Sequence, residues 1–106
     1  MKPITIIKQT LTNGGFTSEN VKGRYIVATP DNELIKPLKH FNKSLVSAYA
    51  RLANQQGLAI GTWVNKGKVY LDTIKGFEDL EEALDFAKLS NQLAIYDREA
   101  GQEIFL

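Results

Sequence analysis

The chain of 106 residues has no cysteine and a single histidine. A disulfide scaffold, a zinc–thiolate centre, an iron–sulfur cluster and a thiol nucleophile are therefore excluded. One histidine without cysteine leaves no nitrogen–sulfur ligand set, so neither a metal nor a cofactor is expected. Charge of one sign is also missing. The 13 basic and 12 acidic side chains give a formal net charge of +1, which excludes the large single-sign field of a nucleic-acid coat or a DNA mimic. Long apolar runs are absent too. The opening run, residues 4–7, is broken by Lys8, too early for the apolar region of a signal peptide. No stretch approaches the ~18 residues of a membrane span, and a cytoplasmic protein without membrane association is expected.

What remains is an ordinary globular mix, with 43% hydrophobic and 24% charged residues. One domain over residues 1–106 is expected, with apolar side chains enough for one core. Residues 3–11 are rich in Ile and Thr and read as a strand, ended by Asn13-Gly14-Gly15. Residues 16–22 are polar and without clear periodicity. Residues 24–29 read as a strand with apolar side chains on both faces, followed by a Pro30-Asp31-Asn32 turn and a short extended segment at 33–35.

From about Pro37, Leu38, Phe41, Leu45, Ala48 and Leu52 advance in steps of 3 and 4, one face of a helix that Gly57 ends. Residues 58–64 and 68–74 form a hairpin. With a two-residue loop at Lys66-Gly67, Val64 faces Val69 and Trp63 faces Tyr70. Phe77, Leu80, Leu84 and Ala87 mark a second helix from Glu78 to about Ser90, and residues 92–96 and 102–106 a final strand pair. The expected architecture is α+β, an antiparallel sheet with two helices in the order ββαββαββ. Its expected core comprises Leu38, Phe41, Leu45, Leu52, Leu80, Leu84, Ile26 and Ile60.

Catalytic patterns are lacking. His40 lies one position off the apolar stripe of the first helix and reads as a boundary residue without a catalytic role. No serine sits in a nucleophile elbow, and Gly14-Gly15 lacks the following Gly-Lys-Ser/Thr of a phosphate loop. Asp72-Thr73-Ile74-Lys75 approaches the acid-plus-lysine core of some nucleases, but Ile74 stands where the second acid is needed. No catalytic residue is assigned and a non-enzymatic protein is expected. The carboxylates Asp72, Asp97, Glu99 and Glu103 leave open a pair formed only in three dimensions.

Three surface features are candidates for binding. Glu78, Asp79, Glu81, Glu82 and Asp85 make the second helix acidic, suited either to solvent and its macrodipole or to a basic partner. Lys36, Lys39 and Lys43, with Arg51 further on, form a basic side of the first helix, solvated or in contact with nucleic-acid phosphates. Trp63 and Tyr70 share one face of the hairpin, where they either join the core or anchor a partner.

The second half of the chain carries a resemblance. Gly61-Thr62-Trp63, Val69-Tyr70-Leu71-Asp72, Phe77-Glu78-Asp79-Leu80-Glu81-Glu82-Ala83 and Asn91-Gln92-Leu93-Ala94-Ile95-Tyr96-Asp97 together resemble small accessory proteins of bacteriophages and other mobile elements. The resemblance covers about residues 58–106. It implies no catalytic residues. It implies a protein that binds and modulates a host or phage protein, inhibitors of CRISPR or restriction machinery among them. The alternative is a nucleic-acid-binding accessory factor using the basic side of the first helix. The apolar end, Ile104-Phe105-Leu106, with neither lysine nor proline from Gln102 onward, suggests either an internal last strand or an edge that a second copy pairs with as a homodimer.

Overall fold

The N-terminal Ile and Thr residues fold as a helix, α1 (Pro3–Asn13), and not as the expected strand. Pro3 occupies the first helical turn, where its missing N–H costs nothing. Ile6, Ile7 and Thr10 fall on one buried face. Gly14, at φ 81°, closes the helix by donating its N–H to the Thr10 carbonyl. Strand propensity is overridden by burial. Thr10 Oγ1 bonds the Ile6 carbonyl at 2.7 Å and the Thr62 hydroxyl at 2.6 Å, locking the helix onto the sheet.

The computed structural model describes residues 2–18 and 21–106. After α1 come β1 (Gly15–Thr17), β2 (Tyr25–Ala28), β3 (Leu34–Pro37) and a 3-10 turn (Leu38–His40). They are followed by α2 (Lys43–Gln55), β4 (Ala59–Asn65), β5 (Lys68–Phe77), α3 (Leu80–Leu89), β6 (Ala94–Asp97) and β7 (Gln102–Phe105). The fold is α+β, with three helices on a curled antiparallel sheet of seven strands among the described residues. The strand order is β1-β4-β5-β2-β6-β7, with β3 also on β5. The expected order lacked the first helix and began with two strands. Residues 19 and 20, within the segment without clear periodicity, lie outside the described residues.

The ten-residue β5 organises the sheet. Along one side it pairs with β4, from Ala59 opposite Ile74 to Asn65 opposite Lys68. Along the other it pairs first with β3 and then with β2. Between Ala28 opposite Ile74 and Leu34 opposite Leu71, residues 29–33 bulge out against only residues 72 and 73. The β4–β5 loop is the expected two-residue turn. Lys66 at φ 50° and Gly67 at φ 75° give it the double positive φ that matches strand twist. Val64 therefore faces Val69, and Trp63 faces Tyr70.

The helices cover one face. Val69, Leu71 and Ile60 meet Ile6, Ile7, Val46, Tyr49 and Ala53 beneath α1 and α2. Val27 and Ile95 meet Ala83 and Ala87 beneath α3. The first long helix starts later than expected. Pro37 closes β3, and the Asn42 side chain caps α2 by accepting the Leu45 N–H at 3.0 Å. Its buried stripe is Val46, Tyr49 and Ala53, one position along from the predicted one, and Ala48 is exposed. Of the expected core, Phe41, Ile26 and Ile60 are buried, while Leu38, Leu45, Leu52, Leu80 and Leu84 pack at the margins.

Candidate binding face

Strand alternation sends every second side chain to the face without helices. Across β3, β5 and β4 the register aligns Ile35, Tyr70 and Trp63 there in one row. Trp63 and Tyr70 stack with ring centroids 4.2 Å apart and planes 16° apart. Trp63 is 44% exposed and Ile35 45%, so the alternative in which these aromatics belong to the core is wrong. Among the described residues no helix lies over the sheet face that holds them.

The sheet curls so that this face is concave. An open concavity of 1020 Å³ lies on it, bounded by β1 and the end of α1 on one side and by β6 on the other. Trp63 and Tyr96 both line it, with Ile26, Ala28 and Ile74 in its floor. One end of the face is closed by the chain itself. Val21 packs on Ile26, Ala59 and Ile74, and the backbone at Lys22 crosses over Gly76 so closely that a Cβ there would meet the Lys22 carbonyl oxygen at 1.9 Å.

The bulge at residues 29–33 brings a second carboxylate to the concavity. Its position is fixed from beneath. The Tyr49 hydroxyl donates to the Asn32 carbonyl at 2.6 Å and is 3.1 Å from the Leu71 carbonyl. The Asn32 side-chain amide donates to Gln56 at 2.7 Å and to the Thr73 hydroxyl at 3.0 Å. Thr29 adds its N–H to the Thr73 carbonyl at 2.8 Å, and its hydroxyl meets the Thr73 hydroxyl. Glu33, next along, then faces Asp72 of β5. Burial, and after it the charge and hydrogen bond of Glu33, push the Asp72 carboxyl up to about 6. Burial and the nearby Asp72 raise the Tyr49 hydroxyl well above the ordinary tyrosine range, so it stays a donor.

Glu33, Asp72 and Glu103 all line the concavity, and among the described residues no lysine, arginine or histidine does. The ion pairs of the described residues lie elsewhere, where Arg24 meets Asp97 and Glu99. Among the described residues no group of three or more acidic or histidine side chains is placed to hold a metal ion.

The other surface candidates are scattered. Asp79 is the N-cap of α3 and accepts the Glu82 N–H at 3.1 Å, and Glu81 and Glu82 follow in the first turn. These acids thus have a local task in starting the helix. Glu78 and Asp85 are exposed. All five belong to the helix side of the sheet, away from Trp63 and Tyr70. The basic side of the first helix does not form as expected. Lys36 is on β3 and Lys39 in the 3-10 turn, and only Lys43 and Arg51 lie on α2, more than two turns apart. Sequence reading missed Glu33, Tyr96 and the concavity itself. The missed signal was in the Pro30-Asp31-Asn32 run, whose expected turn forms as a bulge between two segments of one strand line.

No family model, curated protein or solved structure matches the chain. Among the described residues no helix is long and apolar enough to cross a membrane.

Proposed function

We propose that the protein is a non-catalytic binding protein that engages a protein partner through the open concave face of its sheet. The observation that carries this reading is the stacked Trp63–Tyr70 pair, with Trp63 exposed beside Ile35 and Tyr70 half-buried, on a face over which no helix of the described residues lies. Tryptophan and tyrosine are the residue types most enriched at binding hot spots, and an exposed apolar row beside a concavity is where a partner gains most. The likeness to phage and mobile-element accessory proteins supplies a context: a cytoplasmic host or phage protein as partner, with CRISPR and restriction proteins among the candidates. The nucleic-acid alternative has weaker support, because the basic side chains are spread over a strand, a 3-10 turn and a helix and the concavity is lined by acids.

A homodimer is the second part of the proposal. β7 pairs with β6 alone, and Leu93 (82%), Phe105 (71%) and Leu106 (46%) stand exposed at that edge. Such an edge is open to pairing with a second copy.

Capture of partners from a bacterial lysate, followed by cross-linking and mass spectrometry, tests the binding face. Cross-links centred on β4, β5 and the residue 29–33 bulge are expected. Cross-links confined to the acidic α3 or to Lys43 and Arg51 would overturn the reading.

A further inference from the structure

Resting on that reading, the geometry points to the chemistry of the partner: we propose that the concavity takes an extended, arginine- or lysine-bearing segment of another protein. Its basic side chain lies at Glu33 and Asp72, with Trp63 lining the same concavity.

Two carboxylates, Asp72 on β5 and Glu33 in the bulge, line the concavity together, and the bulge is fixed by a hydrogen-bonded frame that begins at Tyr49. Glu103 of β7 lines the far side of the same concavity, three strands from β5. Among the described residues no cation lines the concavity to offset them. Burial first, and the neighbouring Glu33 charge after it, make ionisation of Asp72 unfavourable and raise its carboxyl. A cation supplied from outside favours the ionised form. Negative charge and aromatic faces together favour a guanidinium or ammonium group over any anion or neutral ligand.

The size of the site favours a polypeptide over a small free cation. A volume of 1020 Å³ is at the upper end for compact ligands, and one guanidinium would fill little of it. Trp63 (44% exposed) and Tyr96 (36%) line the concavity and offer apolar contact to neighbouring residues of the same segment. The acids repel nucleic-acid phosphates, which separates this occupant from the nucleic-acid alternative.

The same geometry fixes the pH dependence. The titratable groups near Asp72 are Glu33 from the bulge and, from beneath the sheet, Tyr49 of α2, while Glu103 of β7 lines the far side of the concavity. A bound cation favours the ionised carboxylates, so affinity should rise from pH 5 to pH 7 as Asp72 loses its proton near 6.

The test is a nuclear magnetic resonance titration of the intact protein with two probes. One is the peptide acetyl-Gly-Gly-Arg-Gly-Gly-amide, and the other is its twin with citrulline, which keeps the shape of arginine without the charge. Saturable shifts of the Trp63 indole N–H and of the Asp72 and Glu33 carboxyl carbons are expected with the arginine peptide. The citrulline twin should bind at least about tenfold more weakly, as should the arginine peptide to Glu33→Gln/Asp72→Asn. Free arginine amide should bind more weakly than the pentapeptide. Equal binding of the two twins, no saturable shift with the arginine peptide, or binding unchanged in the double variant would each overturn the inference. So would equal binding of arginine amide and pentapeptide, which would mark a small-cation site. A lysate partner that still depends on Trp63 would leave the proposed binding face standing after such a failure. A partner indifferent to Trp63 would remove that reading itself.

Discussion

Arg24 and Asp97 join the start of β2 to the end of β6 through two contacts of 2.9 Å, Nε to Oδ1 and Nη2 to Oδ2. Asp97 is nearly buried and also accepts the N–H groups of Glu99 and Ala100, both at 3.2 Å, so one carboxylate sets the β6–β7 turn and clamps the neighbouring strand. The Arg24 hydrogen bond holds the Asp97 carboxyl below the usual range, and the Asp97 carboxylate raises the Arg24 guanidinium. A lowered carboxyl stabilises the fold above its unfolded value of about 4, and that contribution is lost as pH falls through the folded value. Asp97→Asn should lower the thermal midpoint at pH 7, and the difference from wild type should shrink below about pH 4. Melting curves by circular dichroism at pH 7 and pH 3 check this, and an equal deficit at both would contradict it.

Asp72 carries the opposite sign. Its folded value, pushed up to about 6, means that the folded state holds the proton more firmly than the unfolded chain does. Stability should therefore fall as pH rises from 4 to 6 and level off above. Asp72→Asn should stabilise the protein at pH 7 by about 1 kcal/mol, once solvent screening of a partly exposed carboxylate is allowed for, and change little at pH 4. Urea unfolding at the two pH values measures the difference. A destabilised variant at pH 7 would show that Asp72 is not held against its own charge.

Gly76 should resist any side chain. A methyl group there would meet the Lys22 carbonyl oxygen at 1.9 Å, and backbone has little room to yield. Gly76→Ala should cost about 1–3 kcal/mol or more, the range for overpacking. Gly57→Ala is a useful contrast, since its positive φ of 69° strains alanine but nothing lies within 4 Å of the added carbon. A Gly76→Ala variant as stable as wild type would mean that the Val21–Gly23 segment does not lie where it does.

In the core, Leu71 is fully buried at the centre of β5 beneath α2. Leu71→Ala should cost about 2–5 kcal/mol in denaturant unfolding. A loss below about 0.5 kcal/mol would place β5 outside the core.

Local signals explain how much of this was legible. The β4–β5 hairpin and its Trp63–Tyr70 register follow from Lys66-Gly67, because turn geometry and the two-residue period leave one pairing. The helix at Leu80–Leu89 follows from its acids and apolar steps. The first helix was misread because Ile and Thr favour strands locally, while Pro3, the Ile6–Thr10 spacing and Gly14 speak for a helix that burial then stabilises. The Asp72–Glu33 meeting was not legible. Thirty-eight positions separate the two residues, and they meet only because residues 29–33 bulge beside β5 and Tyr49 pins that bulge. Whether Trp63 and Tyr70 face core or solvent also depended on where three helices settle, which a hairpin cannot reveal.

At the β7 edge, static light scattering at tens of micromolar should give a mass near twice 11.8 kDa. Phe105→Lys should return it to the monomer by charging the exposed edge. A monomer mass for the wild type at every concentration would remove the dimer and leave the sheet-face proposal untouched.

The central claim is that a partner binds the open sheet face through the Trp63–Tyr70 stack. The most direct test is the affinity of a lysate-captured partner for wild type and for Trp63→Ser/Tyr70→Ser, with circular dichroism showing both to be folded. The account predicts a loss of about 2 kcal/mol or more, roughly thirtyfold in Kd. A folded variant that binds the partner as tightly as wild type would contradict it.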